Sequence, residues 1–140
     1  MSESPLFIRA RDEVVSLHEF FVAWYDKKTA DAIDFDRFDK VMGPGIQMIP
    51  PSGDMLDRDA VVSYVRNNRA TFDGDYAIEI ADVQSAWEAG SAIVITYIEK
   101  QERRGVKTAR RASALFVESS SAPNGVEWRH LHETWMQTAE

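Results

Sequence analysis

Val14, Leu17, His18, Phe21, Trp24 and Tyr25 recur at three- and four-residue spacing and fall on one stripe. Glu13, Glu19 and Asp26 fall largely off it. That periodicity predicts an amphipathic helix ending near Asp26–Thr29, where polar residues take over. A shorter helix over about 34–42 follows, with Phe35, Phe38, Val41 and Met42 apolar. Gly43-Pro44-Gly45 stops it, because proline disfavours helix in the residue before it. Ile46–Ile49 reads as a short strand, Pro50-Pro51-Ser52-Gly53 as a turn, and Asp54–Leu56 as a hairpin partner. Asp57 is placed to cap a third helix, whose inner stripe is Ala60, Val61, Tyr64, Val65 and Asn68.

From Tyr76 the pattern changes to period two. Tyr76–Glu88, Ala92–Glu102, Thr108–Glu118 and Val126–Gln137 read as four long strands at hairpin spacing, which predicts an antiparallel meander. Helices first and strands after make a segregated α+β plan. The strands are apolar on both faces: Ile93, Ile95 and Tyr97 on one, Val94 and Ile98 on the other. Such a sheet needs cover twice. The helices supply one cover and a second copy of the chain the other, so a homodimer through the outer sheet face is expected.

Size and charge narrow the function classes. The 140 residues suit a single domain spanning the chain. Cysteine is absent, which excludes a disulfide scaffold, a thiol nucleophile and a Cys-ligated zinc site. The net charge of −7 makes a poor ligand for nucleic acid or an anionic membrane, so neither is expected as a partner. Charges interrupt the first residues where a signal peptide would be apolar, and the run Ala92–Ile98 is too short to span a bilayer. A cytoplasmic location is expected.

The element order, with FDRFDKVMGPGIQMIPPSG at 35–53, LDRDAVVSYV at 56–65 and WRHLHETW at 128–135, resembles the NTF2-like superfamily. The superfamily includes ketosteroid isomerase and SnoaL-type cyclases, and the closing Trp…His strand is most similar to its DUF4440-like branch. The resemblance implies a cone: three N-terminal helices packed on a strongly curved antiparallel sheet, with a pocket between them. It does not imply a reaction. The isomerase's oxyanion tyrosine falls on Phe21 and its general-base aspartate on Pro50, so the two groups that carry that chemistry are missing. Its pocket tryptophan matches Trp135, which implies that Trp135, Glu133 and Leu131 face inward and Trp128, His130 and His132 outward. The pocket lining expected on this basis is Phe21, Trp24, Phe38, Met48, Tyr64, Tyr97, Leu131 and Trp135.

Within such a pocket the candidate chemistry is acid–base. His18 lies on the inner stripe of the first helix and titrates near neutrality. Glu133 and Glu99 are inward carboxylates whose proton affinity burial would raise, unless Arg110 or Arg111 pairs with Glu133. His130 and His132 share a strand face but lack a further ligand cluster, and HETW is not the HExxH zinc motif, so no metal and no cofactor are expected. Lys100–Arg111 is rich in cations, as an anion-binding lip or a solvated hairpin tip would be. The preferred reading is a pocket that binds a small, mostly apolar ligand. The alternative is an isomerase, cyclase or hydrolase using His18 with Glu99 or Glu133. In a third reading dimerisation is itself the role.

Overall fold

The computed structural model describes residues 3–137. Helix α1 spans Pro5–Tyr25, a 3₁₀ turn Ala30–Ala32, α2 Asp36–Val41 and α3 Arg58–Asn67. Strands are β1 Met42–Ile49, β2 Tyr76–Ala89, β3 Ala92–Arg103, β4 Val106–Glu118 and β5 Val126–Trp135. The result is α+β, with three helices on one five-stranded sheet ordered β1-β5-β4-β3-β2. No described helix is long and apolar enough to cross a membrane.

Local chemistry sets the helix starts. Ser4 Oγ accepts from the Phe7 amide at 3.0 Å and Pro5 opens the first turn, where its missing N–H costs nothing. Asp57 caps α3 as expected, accepting from the Ala60 amide at 2.9 Å. The Arg104–Gly105 pair between β3 and β4 has φ of 49° and 85°, the left-handed pair that matches a two-residue hairpin turn to strand twist.

The structure corrects the expected sheet in three places. It is mixed, because β1 runs parallel to β5, with Gln47 opposite His130 and Ile49 opposite His132. Gly43-Pro44-Gly45 does not separate helix from strand: α2 ends at Val41, and β1, expected from Ile46, already begins at Met42 and passes through them with a register irregularity. The Asp54–Leu56 hairpin partner shrinks to one bridge, Met48 with Leu56, since Pro50 and Pro51 offer no amides to extend a ladder.

The inner face buries Ile93, Ile95, Tyr97, Ala112, Ala114 and Phe116 against Leu6, Ala10, Val14 and Leu17 of α1. Glu13, expected off the apolar stripe, is fully buried as well. Arg37 reaches its two oxygens at 2.8 and 3.1 Å, Trp128 Nε1 donates at 2.9 Å and Asn124 at 3.0 Å, so the buried carboxylate is saturated. Trp128 thus faces inward, contrary to the expectation. A β-bulge skips Arg129, pairing Leu115 with His130 but Phe116 with Trp128, and flips the strand between them. His130 and His132 keep the outer face.

Candidate functional site

A cavity of about 420 Å³ lies between the inner sheet face and the helices. Leu17, Phe21 and Tyr25 reach it from α1, Phe38 from α2, Met42, Ile46 and Met48 from β1, and Val61, Tyr64 and Val65 from α3. Trp128 and Leu131 complete the apolar wall from β5. Successive inner-face positions of β3 and β4 supply the polar wall: Glu99, Gln101 and Arg103 from one, Arg110 from the other. Strand alternation puts Glu99, Gln101 and Arg103 on one side of the sheet.

Of the residues expected to line a pocket, Phe21, Phe38, Met48, Tyr64 and Leu131 border this cavity. Three do not. Trp24 packs on Phe20 with ring centroids 5.8 Å apart and donates its indole N–H to Val65 O at 2.8 Å, which turns it into the helical layer. Tyr97 is fully buried beneath His18, ring to ring at 5.8 Å. Trp135 is 54% exposed beyond the cavity, with the Arg110 guanidinium 4.7 Å from its ring centroid. Tyr64 is 57% exposed and so stands at the mouth. Phe21 and Pro50, at the two positions where the isomerase resemblance puts a tyrosine and an aspartate, both border the hollow.

His18, Glu99 and Glu133 converge on this cavity. His18 Nδ1 donates to Val14 O at 2.6 Å and Nε2 to Glu99 Oε1 at 3.0 Å. Both ring nitrogens face acceptors, so the geometry suits the imidazolium. Burial pulls the His18 pKa down, but the charge and hydrogen bond of Glu99, aided by the Val14 carbonyl, lift it above its ordinary value. Glu99 is pushed up by burial and down more strongly by His18, and ends at about 2. Its second oxygen accepts from Gln101 Nε2.

Glu133 behaves oppositely. Arg110 Nη1 donates to it at 3.1 Å, the ion pair that Lys100–Arg111 offered in the sequence. Burial and the nearby Glu99 charge nevertheless outweigh that single contact and raise it to about 7. Burial also raises the Tyr76 hydroxyl to about 12, against the lowering fields of Arg103 and Arg110, and raises those of Tyr25 and Tyr97 as well. Among the described residues, two buried polar atoms at this wall, Gln101 Oε1 and Arg110 Nε, have no partner, nor does Tyr97 OH beneath His18. Unmatched buried polar groups are uncommon enough to need a reason.

Gln101 and Tyr76 were not singled out from the sequence, and Arg103 entered only as one cation of a stretch read as an anion-binding lip or a solvated hairpin tip. The cation-rich Lys100–Arg111 stretch contained two of them, and strand parity would have turned Arg103 and Gln101 toward Glu99. Among the described residues no group of three or more His, Asp or Glu side chains is arranged to hold a metal ion. A second hollow, between α1 and β2, is bordered by Val15, Val22, Ile78 and Ile80 and shares His18 and Tyr76 with the first.

No family model matches the chain, and no curated protein matches its sequence. Solved structures do resemble it. An NTF-2-like protein of unknown function from Pseudomonas aeruginosa superposes with a TM-score of 0.81 at 23% identity, covering 92% of this chain and 99% of that one. A CaMKII hub from S. rosetta gives 0.67 at 12% identity, covering 97% and 98%. An NTF2-like protein from Cytophaga hutchinsonii gives 0.61 at 11%, covering 90% and 98%.

Proposed function

On the NTF2-like fold that these likenesses establish, we propose that the chain is a binding module whose hollow holds a small, mostly apolar ligand, in the manner of the cone-shaped SnoaL-like and DUF4440-like branch. The observation that carries the reading is the cavity itself. At about 420 Å³ it has the size of small-molecule sites, roughly 300–1,000 Å³, and it sets an aromatic and aliphatic wall against a few convergent polar groups. The cysteine-free, acidic chain suits the cytoplasm. A thermal-shift screen of aromatic, polyketide-like and fatty molecules should yield binders, and Leu131→Trp should abolish their binding while leaving the fold intact. Failure of all three classes would sink the reading.

One observation favours a second, catalytic reading: Glu99 and Glu133 are pushed in opposite directions in proton affinity on one wall, the usual signature of an acid–base pair. His18, donating from both nitrogens, then serves as the fixed counter-charge of Glu99, and Glu133 is the proton carrier. Phe21 and Pro50 exclude the isomerase's own tyrosine–aspartate route. Turnover of any substrate found should fall at least a hundredfold in Glu133→Gln, the scale of general acid–base catalysis.

The chain also pairs with a second copy through the outer sheet face. Val94, Ile98, Leu115 and Val117 are only half-buried there, beside Trp87 at 55% exposure. The likeness to a CaMKII hub supports an assembling role. Light scattering should give twice the chain mass, and Leu115→Glu should halve it.

A further inference from the structure

Resting on the binding reading above, we infer that the ligand is an amphipathic organic anion, a carboxylate with an aromatic or aliphatic tail, whose head group is received by Arg103 at the cavity mouth, with Arg110 further along the same lining. The chain as a whole carries −7, yet two arginines border its hollow. Arg103 is exposed and has no ion pair with any carboxylate among the described residues. It lies against the Tyr76 ring instead, 5.4 Å from the centroid, directly across the strand pair. A guanidinium resting on aromatic rings still has five donors in a planar fork, enough to serve Tyr76 and a bidentate carboxylate together.

The other charges on the wall are already matched. Glu99 is neutralised by His18 at 3.0 Å and bonded by Gln101. Arg110 spends one nitrogen on Glu133, and its Nε is unpartnered. Burial and the Glu99 charge disfavour the ionised form of that Glu133, so the pair carries part of a positive charge on Arg110 near neutral pH. Asp54, also on the lining, is exposed on the β1–α3 loop and is bonded by Ser52 Oγ at 3.0 Å. The Tyr25 and Tyr76 side chains border the same hollow, and the field of Arg103 reaches both hydroxyls. Tyr25, Tyr76 and Arg103 therefore lie together, with the tyrosine rings 5.6 Å apart and Arg103 5.4 Å from Tyr76, while Phe38, Trp128 and Ile46 give the same hollow apolar lining for a tail.

The test uses isosteric pairs: 3-phenylpropionate against 3-phenylpropanamide, and octanoate against octanamide, titrated calorimetrically into the whole chain. The carboxylates should bind roughly tenfold tighter than the amides, the usual margin of a charge-assisted hydrogen bond over a neutral one. That margin should shrink with added salt and vanish in Arg103→Gln. This side chain is exposed at the mouth, so circular dichroism should show the variant folded. Equal affinity for acid and amide overturns the anion while leaving the binding module standing. A margin that survives in Arg103→Gln overturns the assigned head-group site. Binding by neither member of either pair overturns both the inference and the pocket reading for ligands of this size.

Discussion

Replacing Glu133 by glutamine tests the electrostatics of the cavity wall without removing its hydrogen bond. The Gln oxygen can still accept from Arg110, which donates to Glu133 at 3.1 Å. What disappears is a carboxyl raised from 4.5 to about 7 by burial and by Glu99. A carboxyl whose folded value lies above its unfolded one favours the fold fully below pH 4.5. That advantage is lost as the pH rises through 7, because the buried group must then ionise. At 1.36 kcal/mol per unit, the loss between pH 4.5 and pH 8 is about 3 kcal/mol. Glu99, lowered to about 2, acts in the other direction: its contribution is present above pH 4.5 and disappears only as the pH falls toward 2, outside this window. His18, lowered by burial but raised above 6.5 overall, chiefly by Glu99, contributes fully below 6.5 and loses that contribution as the pH rises through its folded value; the Glu133 charge is the smallest of its causes, so the variant changes it little. Urea unfolding followed by tryptophan fluorescence at several pH values reads the difference directly. The two proteins should have similar stability at pH 4.5, and the variant should be more stable by about 3 kcal/mol at pH 8. Parallel stability curves across that range would refute the argument, since they would mean that Glu133 is already ionised in the folded protein.

Two further substitutions probe how the site is held. In Gly43→Ala the new Cβ would stand 2.7 Å from the Trp128 carbonyl oxygen and 2.5 Å from Glu127 Oε2, and the backbone oxygen cannot swing away, so β1 should be pushed off β5. A loss of about 1–3 kcal/mol, read as a lowered thermal midpoint, is expected. Glu13→Ala strands Arg37, Asn124 and the Trp128 indole without their common acceptor. It should cost about 3–5 kcal/mol in denaturant unfolding, with Glu13→Gln losing distinctly less.

Elements with strong periodicity were legible in the sequence. The stripe of α1, the Asp57 cap and the four long strands follow from spacing alone, while the family resemblance, carried along the strands by alternation, turned Glu99 and Glu133 toward the wall they occupy. Features that depend on tertiary geometry were not. The bulge at Arg129 reverses side-chain parity between Trp128 and His130, and no local signal marks it. The parallel pairing of β1 with β5 joins segments separated by most of the chain. Glu13 read as a solvated charge, because its four hydrogen bonds come from α2, the β4–β5 loop and β5. Trp24 and Tyr97 read as lining because periodicity reports which side of an element is buried, not whether a hollow or a neighbouring ring meets it there.

The knot around Glu13 also bears on how the molecule is made. The carboxylate leaves the ribosome early, while the indole that locks it lies 115 residues later. During synthesis the apolar side of α1 therefore waits for β3 and β4, and its buried carboxylate is not fully matched until the last strand has emerged. Nascent chains in that state favour sticking over docking. Shortened products ending before Trp128 should be recovered with chaperones or in inclusion bodies, because what they lack is the final latch.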